Sequence, residues 1–217
     1  MKTPIDDPAR EASILVLATI VLTVIHFHGH VASLGPREQL FGWFAVNVAL
    51  LLVVPALVIR FGFRERLFAY GLRLGNARVW GRDLGVLALV LLPVAFFAAR
   101  MPSIREAYPA YRYVLAEPWL WIPSTLGWGL YCFAWEFFFR GFLLFGLSRR
   151  LGAVAIFIQL VPFVMAHYPK SEPEAFASIG GGLLFAVIAW RGESFVGAWL
   201  LHWGLATAVN VFATIGE

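Results

Sequence analysis

The chain has 217 residues, 60% of them hydrophobic and only 14% charged, with nine Trp, twenty Phe and a formal net charge of +4. A water-soluble domain carries about 25% charge, so this composition argues against a soluble enzyme and for an all-α, polytopic membrane protein. The positive charge calls for no nucleic-acid partner, because arginines flanking membrane spans face anionic lipid.

Stretches apolar enough to cross about 30 Å of hydrocarbon fall at roughly 12–33, 39–60, 82–100, 117–148, 152–167, 175–190 and 194–214, the two shortest being the weakest. That predicts about seven transmembrane helices in a single integral membrane domain over 1–217. The first stretch reads as a retained helix rather than a signal peptide. Asp6, Asp7 and Glu11 outweigh Lys2 and Arg10 on its flank, and no small-residue cleavage site follows. The run His26-Phe-His-Gly-His30 at its far end reads as exposed interfacial histidine rather than a metal site.

Residues 61–81 interleave Phe61, Phe63, Leu67, Phe68, Tyr70 and Leu72 with arginines, the pattern of an amphipathic segment on the cytoplasmic interface. Residues 101–116, with three tyrosines, read as an outer loop with an aromatic rim. In the fourth stretch Pro118, Pro123, Gly127 and Gly129 predict a bend or a separate turn before Tyr131. Cys132 is the single cysteine, which excludes an intrachain disulfide, and it reads as a small buried hydrophobe. The run Gly180-Gly-Gly182 reads as small-residue helix packing, with a shaping of substrate access as the alternative.

With the N-terminus inside, eleven basic residues face the cytoplasm: Lys2, Arg10, Arg60, Arg64, Arg66, Arg73, Arg78, Arg82, Arg149, Arg150 and Arg191. Five face outward: Arg37, Arg100, Arg105, Arg112 and Lys170. The positive-inside rule therefore predicts a cytoplasmic N-terminus and an external C-terminus.

The most informative residues are ionisable groups inside these apolar stretches: Glu136 with Arg140, His167 and His202. A lipid-facing charge is costly, so such groups meet one another and mark a functional site by default. Glu136 and Arg140, four apart, share a helix face and can pair. At about 1.5 Å per residue, Glu136 lies roughly 18 Å, His167 roughly 22 Å and His202 roughly 12–13 Å from the cytoplasmic ends of their helices. One polar cluster is therefore geometrically available, and a carboxylate with two imidazoles suits the activation of water.

Glu136-x-x-x-Arg140-Gly141, then Phe163-x-x-x-His167, then His202 resemble the motifs of the CPBP family of intramembrane endopeptidases, which includes the CAAX proteases and bacterial Abi proteins. The likeness spans about residues 130–210, within a motif core of about 117–214, and Tyr70-Gly-Leu-Arg-Leu-Gly75 resembles the preceding loop. It implies a four-helix catalytic core and hydrolysis near a C-terminal or membrane-anchoring segment, with Glu136, Arg140, His167 and His202 as catalytic residues. Asn210, Trp203 and Phe163 would support them. The family's first motif begins with two glutamates, and the first position, taken as the general base, is Trp135 here. The final motif's Asn position is Ala206, with Asn210 one turn further. Three readings follow: Glu136 is the base, a histidine such as His167 is the base, or the fold persists without the chemistry as a peptide-binding chaperone or sequestering module.

Among family members the protein-sorting, myxosortase type is the most similar. The resemblance implies a multi-pass protein of a bacterial inner membrane, with a membrane-anchored protein substrate and the bilayer itself as partners. It implies no cofactor. Glu136, His167 and His202 are donors that zinc accepts, but the short His-x-x-x-His ligand spacing is absent.

Overall fold

The computed structural model describes residues 8–29, 36–109 and 113–215. The described residues contain no strand. Their long helices are α1 (Pro8–His28), α2 (36–62), α3 (Ala77–Ala98), α4 (Pro118–Leu151), α5 (Val154–Met165), α6 (Glu172–Gly192) and α7 (Val196–Thr214). Short helical turns at Leu67–Tyr70, Pro102–Ala107 and Tyr113–Ala116 lie between them. Six of the seven predicted spans are long and apolar enough to cross a bilayer, and the fifth, α5, is a shorter apolar helix of 12 residues.

The helix α4 is the axis of the bundle. Within its most apolar window 78% of residues are buried, against 6% for α3, whose Val86, Leu89, Val90, Val94 and Phe97 face outward. An exposed apolar face suits lipid contact, since hydrocarbon solvates it as well as a neighbouring helix does. Phe137, Phe138, Phe139, Phe142, Leu143, Leu144 and Leu147 of α4 are wholly buried.

The predicted separate turn lies at the very start of α4, and no bend follows at Pro123, Gly127 or Gly129. A 3₁₀ turn occupies Pro118–Leu120, but Trp121–Glu136 is then continuous through Pro123, Gly127 and Gly129. Pro123 stands in the first turn, where a backbone N–H has no intrahelical acceptor in any case. The glycines accommodate neighbours: a Cβ at Gly127 would strike the Phe44 ring, and one at Gly129 the Trp203 ring. The helix departs from α geometry only after Glu136, as a wide π-helical stretch over Phe137–Phe145. Such stretches gather at functional sites. Here it carries Arg140 and lets Gly141 press against the Tyr70 carbonyl.

Ion pairs and hydrogen bonds gather at two sets of helix ends. At one end Arg10 of α1 binds the Tyr70 hydroxyl at 2.6 Å, the Gly146 carbonyl at 2.9 Å and Glu65 at 3.3 Å, while Arg149 pairs with Glu65 at 2.8 Å. Arg73 bonds to Glu193, and Arg191 pairs with Asp83. At the other end Arg100 binds the Ile215 carbonyl and Tyr108 donates to Glu174 at 2.6 Å. Of the tyrosines predicted for that rim, Tyr111 lies outside the described residues.

The amphipathic reading of 61–81 holds for exposed Phe61 and Phe68 and fails for Tyr70, which is fully buried. The segment after Tyr70 is clasped to the α6–α7 turn. The Ser194 hydroxyl donates to the Arg73 carbonyl, and the Asn76 N–H donates to the Gly192 carbonyl. Gly75, at φ +60°, leaves no room for a Cβ beside Gly192 and Ser194, so a side chain there would be both strained and blocked.

Candidate active site

Glu136 and Arg140 are wholly buried and pair across one turn of α4, Nη1 to Oε2 at 3.1 Å. The Nη1 hydrogen bond itself goes to Oε1 at 3.2 Å, the same oxygen that lies 2.7 Å from His202 Nδ1 on α7, and Oε2 is buried without a hydrogen-bond partner. A carboxylate flanked by a guanidinium is ionised and can only accept, so Nδ1 of His202 carries the proton and donates it. Arg140 is enclosed on its other sides. Its Nη2 donates to the Gly182 carbonyl of α6 at 3.1 Å, and its guanidinium lies over the Phe163 and Phe185 rings, 4.2 and 5.4 Å from their centroids.

His167 follows the C-terminus of α5. Its Nδ1 is 2.8 Å from the Phe163 carbonyl one turn earlier, again an acceptor only, so this proton too sits on Nδ1. Its ring packs on Phe163 at 4.7 Å and meets Trp135 edge-on at 5.6 Å and 90°. His202 stacks on Phe185 at 5.2 Å. Arg140 links the two imidazoles, since its guanidinium lies over Phe163, on which His167 packs, and over Phe185, on which His202 stacks. Both are partly exposed, His202 with 20% of its side chain accessible, whereas Glu136 has none. With both Nδ1 atoms donating, the reachable nitrogens are the two Nε2 lone pairs. This arrangement can accept protons from a water molecule; it presents no free carboxylate.

The structure therefore brings Glu136, Arg140, His202, His167 and Phe163 into one neighbourhood. Asn210 is two helical turns beyond His202, lining a cleft with Ser124, Thr125, Trp128 and Thr207, and its amide donates to the Ala206 carbonyl. The Trp203 indole, expected to serve the site, donates to the Thr125 carbonyl at 2.9 Å. Cys132 is buried and free of any disulfide. His26 and His28 are exposed, and His30 lies outside the described residues. Of the three glycines, Gly180 and Gly181 face open space. A Cβ on Gly182 would press into Leu160 and Phe163, so only this glycine sets the α5–α6 approach.

Among the described residues no three His, Cys, Asp or Glu side chains converge as a metal site.

Two participants escaped the sequence reading. Gln159 is wholly buried on α5 and donates to the Ile156 carbonyl at 3.0 Å and towards the Gly182 carbonyl at 3.5 Å. Its spacing of four from Phe163 and eight from His167 places it on their face, a signal available in the sequence. Phe185, which stacks on His202, carries no comparable signal.

Residues 117–208 match the family described as type II CAAX prenyl endopeptidase Rce1-like. No curated protein and no solved structure matches the chain. The match spans α4 to α7 and contains Glu136, Arg140, His167 and His202. It agrees with the CPBP resemblance and supports a membrane protease at the level of the family.

Proposed function

We propose, for a chain whose residues 117–208 match the Rce1-like CAAX endopeptidase family, that it is an active intramembrane endopeptidase whose general base is His202. The substrate is a membrane-anchored protein, cut near a C-terminal or membrane-anchoring segment. The observation that carries this reading is the 2.7 Å contact of His202 Nδ1 with Glu136 Oε1. A buried carboxylate that holds an imidazole in one tautomer and stabilises the imidazolium is the orienting half of a carboxylate–histidine pair. Trp135 has no basic lone pair, and Glu136 is enclosed by Arg140 and His202, so proton acceptance passes to imidazole.

The steps follow from the two free Nε2 lone pairs. A water molecule donates one hydrogen towards each Nε2, which turns its oxygen lone pair towards the substrate carbonyl. His202 Nε2 takes a proton as the water oxygen bonds to the carbonyl carbon. The imidazolium returns that proton to the amine nitrogen as the C–N bond breaks, leaving a carboxylic acid and a free amine, and the acid then gives its proton to solvent or to the amine. Arg140 holds Glu136 in place throughout, and His167 holds the water. The N-terminus is cytoplasmic and the C-terminus external, and the substrate meets the cluster from the external side.

The test is peptide profiling of both protein termini in membranes from cells carrying the wild-type chain or His202→Ala at matched expression. A defined set of anchored proteins should lose its tails only with the wild type. Identical profiles, with membrane proteins still co-purifying, would instead favour an inactive relative that binds transmembrane peptides.

A further inference from the structure

We propose that Trp135, standing where the family places its first glutamate, supplies the hydrogen bond that holds the oxyanion, its indole N–H donating to the scissile carbonyl oxygen. The inference rests on the hydrolytic reading above and names a substrate-contacting group that reading lacks.

Hydrolysis moves the carbonyl π pair onto oxygen as water adds to carbon, and that negative oxygen needs a donor placed in advance. The cluster's evident groups do not provide one. Both imidazoles spend their Nδ1 protons on the Glu136 carboxylate and the Phe163 carbonyl, and each presents an acceptor at Nε2. Arg140 has its Nη atoms directed at Glu136 and Gly182, and its Nε, also without a partner, is shut away with the whole side chain at 0% exposure. Asn210 lies two turns away in a different cleft.

Trp135 differs from Trp80, Trp199 and Trp203, whose indoles are paired. Trp80 donates to the Leu74 carbonyl at 2.7 Å, Trp199 to Gly129 at 2.8 Å and Trp203 to Thr125 at 2.9 Å. Trp135 is 6% exposed, and its Nε1 is buried with no acceptor among the described residues. Buried donors are nearly always paired, so an exception invites a functional account. This one adjoins the reacting groups: the indole meets His167 edge-on at 5.6 Å and is steadied by Phe139, Phe163 and Tyr131. A substrate carbonyl lying beside the water held at His167 offers the acceptor the protein withholds. As the tetrahedral centre collapses, the pair returns from oxygen to re-form the carbonyl, the C–N bond breaks, and the indole keeps its proton throughout.

The experiment uses the full chain in phosphatidylethanolamine/phosphatidylglycerol nanodiscs and a single-span peptide reporter carrying a cut site mapped by terminal profiling. Trp135→Phe keeps the aromatic packing and removes the N–H. Benzothienylalanine at 135 keeps the fused-ring shape and puts sulfur in place of the N–H, which guards against a packing artefact. Both should lower kcat about 10²–10³-fold, as loss of one oxyanion donor does, with KM unchanged. Wild-type kcat in the benzothienylalanine protein would overturn the role of Trp135 while leaving the protease reading intact. If the wild type cleaves no protein from which a reporter can be drawn, the hydrolytic reading fails and this inference falls with it.

Discussion

His202 Nδ1 stands 2.7 Å from Glu136 Oε1, so a carboxylate on the central helix fixes the tautomer of a histidine on the last one. The same carboxylate balances Arg140 at 3.1 Å. Glu136 thus serves the cation behind it and the imidazole in front of it. In the proposed mechanism that double engagement makes it a positioning residue rather than a free base.

The ion pair separates stability from chemistry. Arg140→Met leaves Glu136 buried without its cation and should destabilise the protein by about 3–5 kcal/mol, measured by denaturation in detergent. Adding Glu136→Gln should restore most of that stability and none of the cleavage. An Arg140→Met protein as stable as wild type would show that the pair does not govern the charge balance of the core.

The glycine run should divide sharply. Gly182→Ala forces a Cβ against Leu160 and Phe163 and disturbs the carbonyl that accepts from Arg140; overpacking of this kind costs about 1–3 kcal/mol. Gly180→Ala and Gly181→Ala meet nothing and should stay within about 0.5 kcal/mol of wild type. Equal effects at all three positions would contradict the close α5–α6 approach at Gly182.

Glu65 gives a pH prediction outside the membrane spans. Burial alone pushes its carboxyl up, but the hydrogen bond from Tyr70 and the charges of Arg10 and Arg149 outweigh it and hold the group below its ordinary value of 4.5. A lowered folded value means stability that is fully present above the unfolded value and lost as pH falls through the folded one. The stability difference between wild type and Glu65→Gln should therefore be constant near neutrality and shrink below about pH 4.5. A gap that stays constant into strong acid would remove Glu65 from the clasp.

Topology is testable by fusion. If the proposed orientation holds, alkaline phosphatase joined after residue 217 should be active and a green fluorescent fusion there dark. The reverse pattern would turn the whole arrangement over and place substrate access on the cytoplasmic side.

Much of the site was legible because its residues obey helical spacing in apolar surroundings. Glu136 and Arg140 announce themselves by being four apart, and His167 and His202 by being polar where lipid or core is expected. What the sequence could not convey is direction across helices. Trp203 was placed at the site by its neighbour His202, yet its indole turns to Thr125. Tyr70 looked interfacial beside exposed Phe68, yet Arg10, sixty residues earlier, draws it into a buried knot. The glycines and proline early in α4 suggested a break because propensity weighs each residue alone. Phe44 and Trp203 fill the space above Gly127 and Gly129, and packing overrides propensity there.

The most direct test of the central claim is the cleavage rate of one mapped reporter by the wild type, Glu136→Gln, His202→Ala and the double variant, compared at equal folded amounts. If His202 is the base and Glu136 orients it, His202→Ala abolishes cleavage. Glu136→Gln alone then leaves a residue of activity about 10²–10⁴-fold below wild type, and the double variant is no worse than His202→Ala. Cleavage that survives His202→Ala but vanishes with Glu136→Gln would make the carboxylate the base and contradict the account.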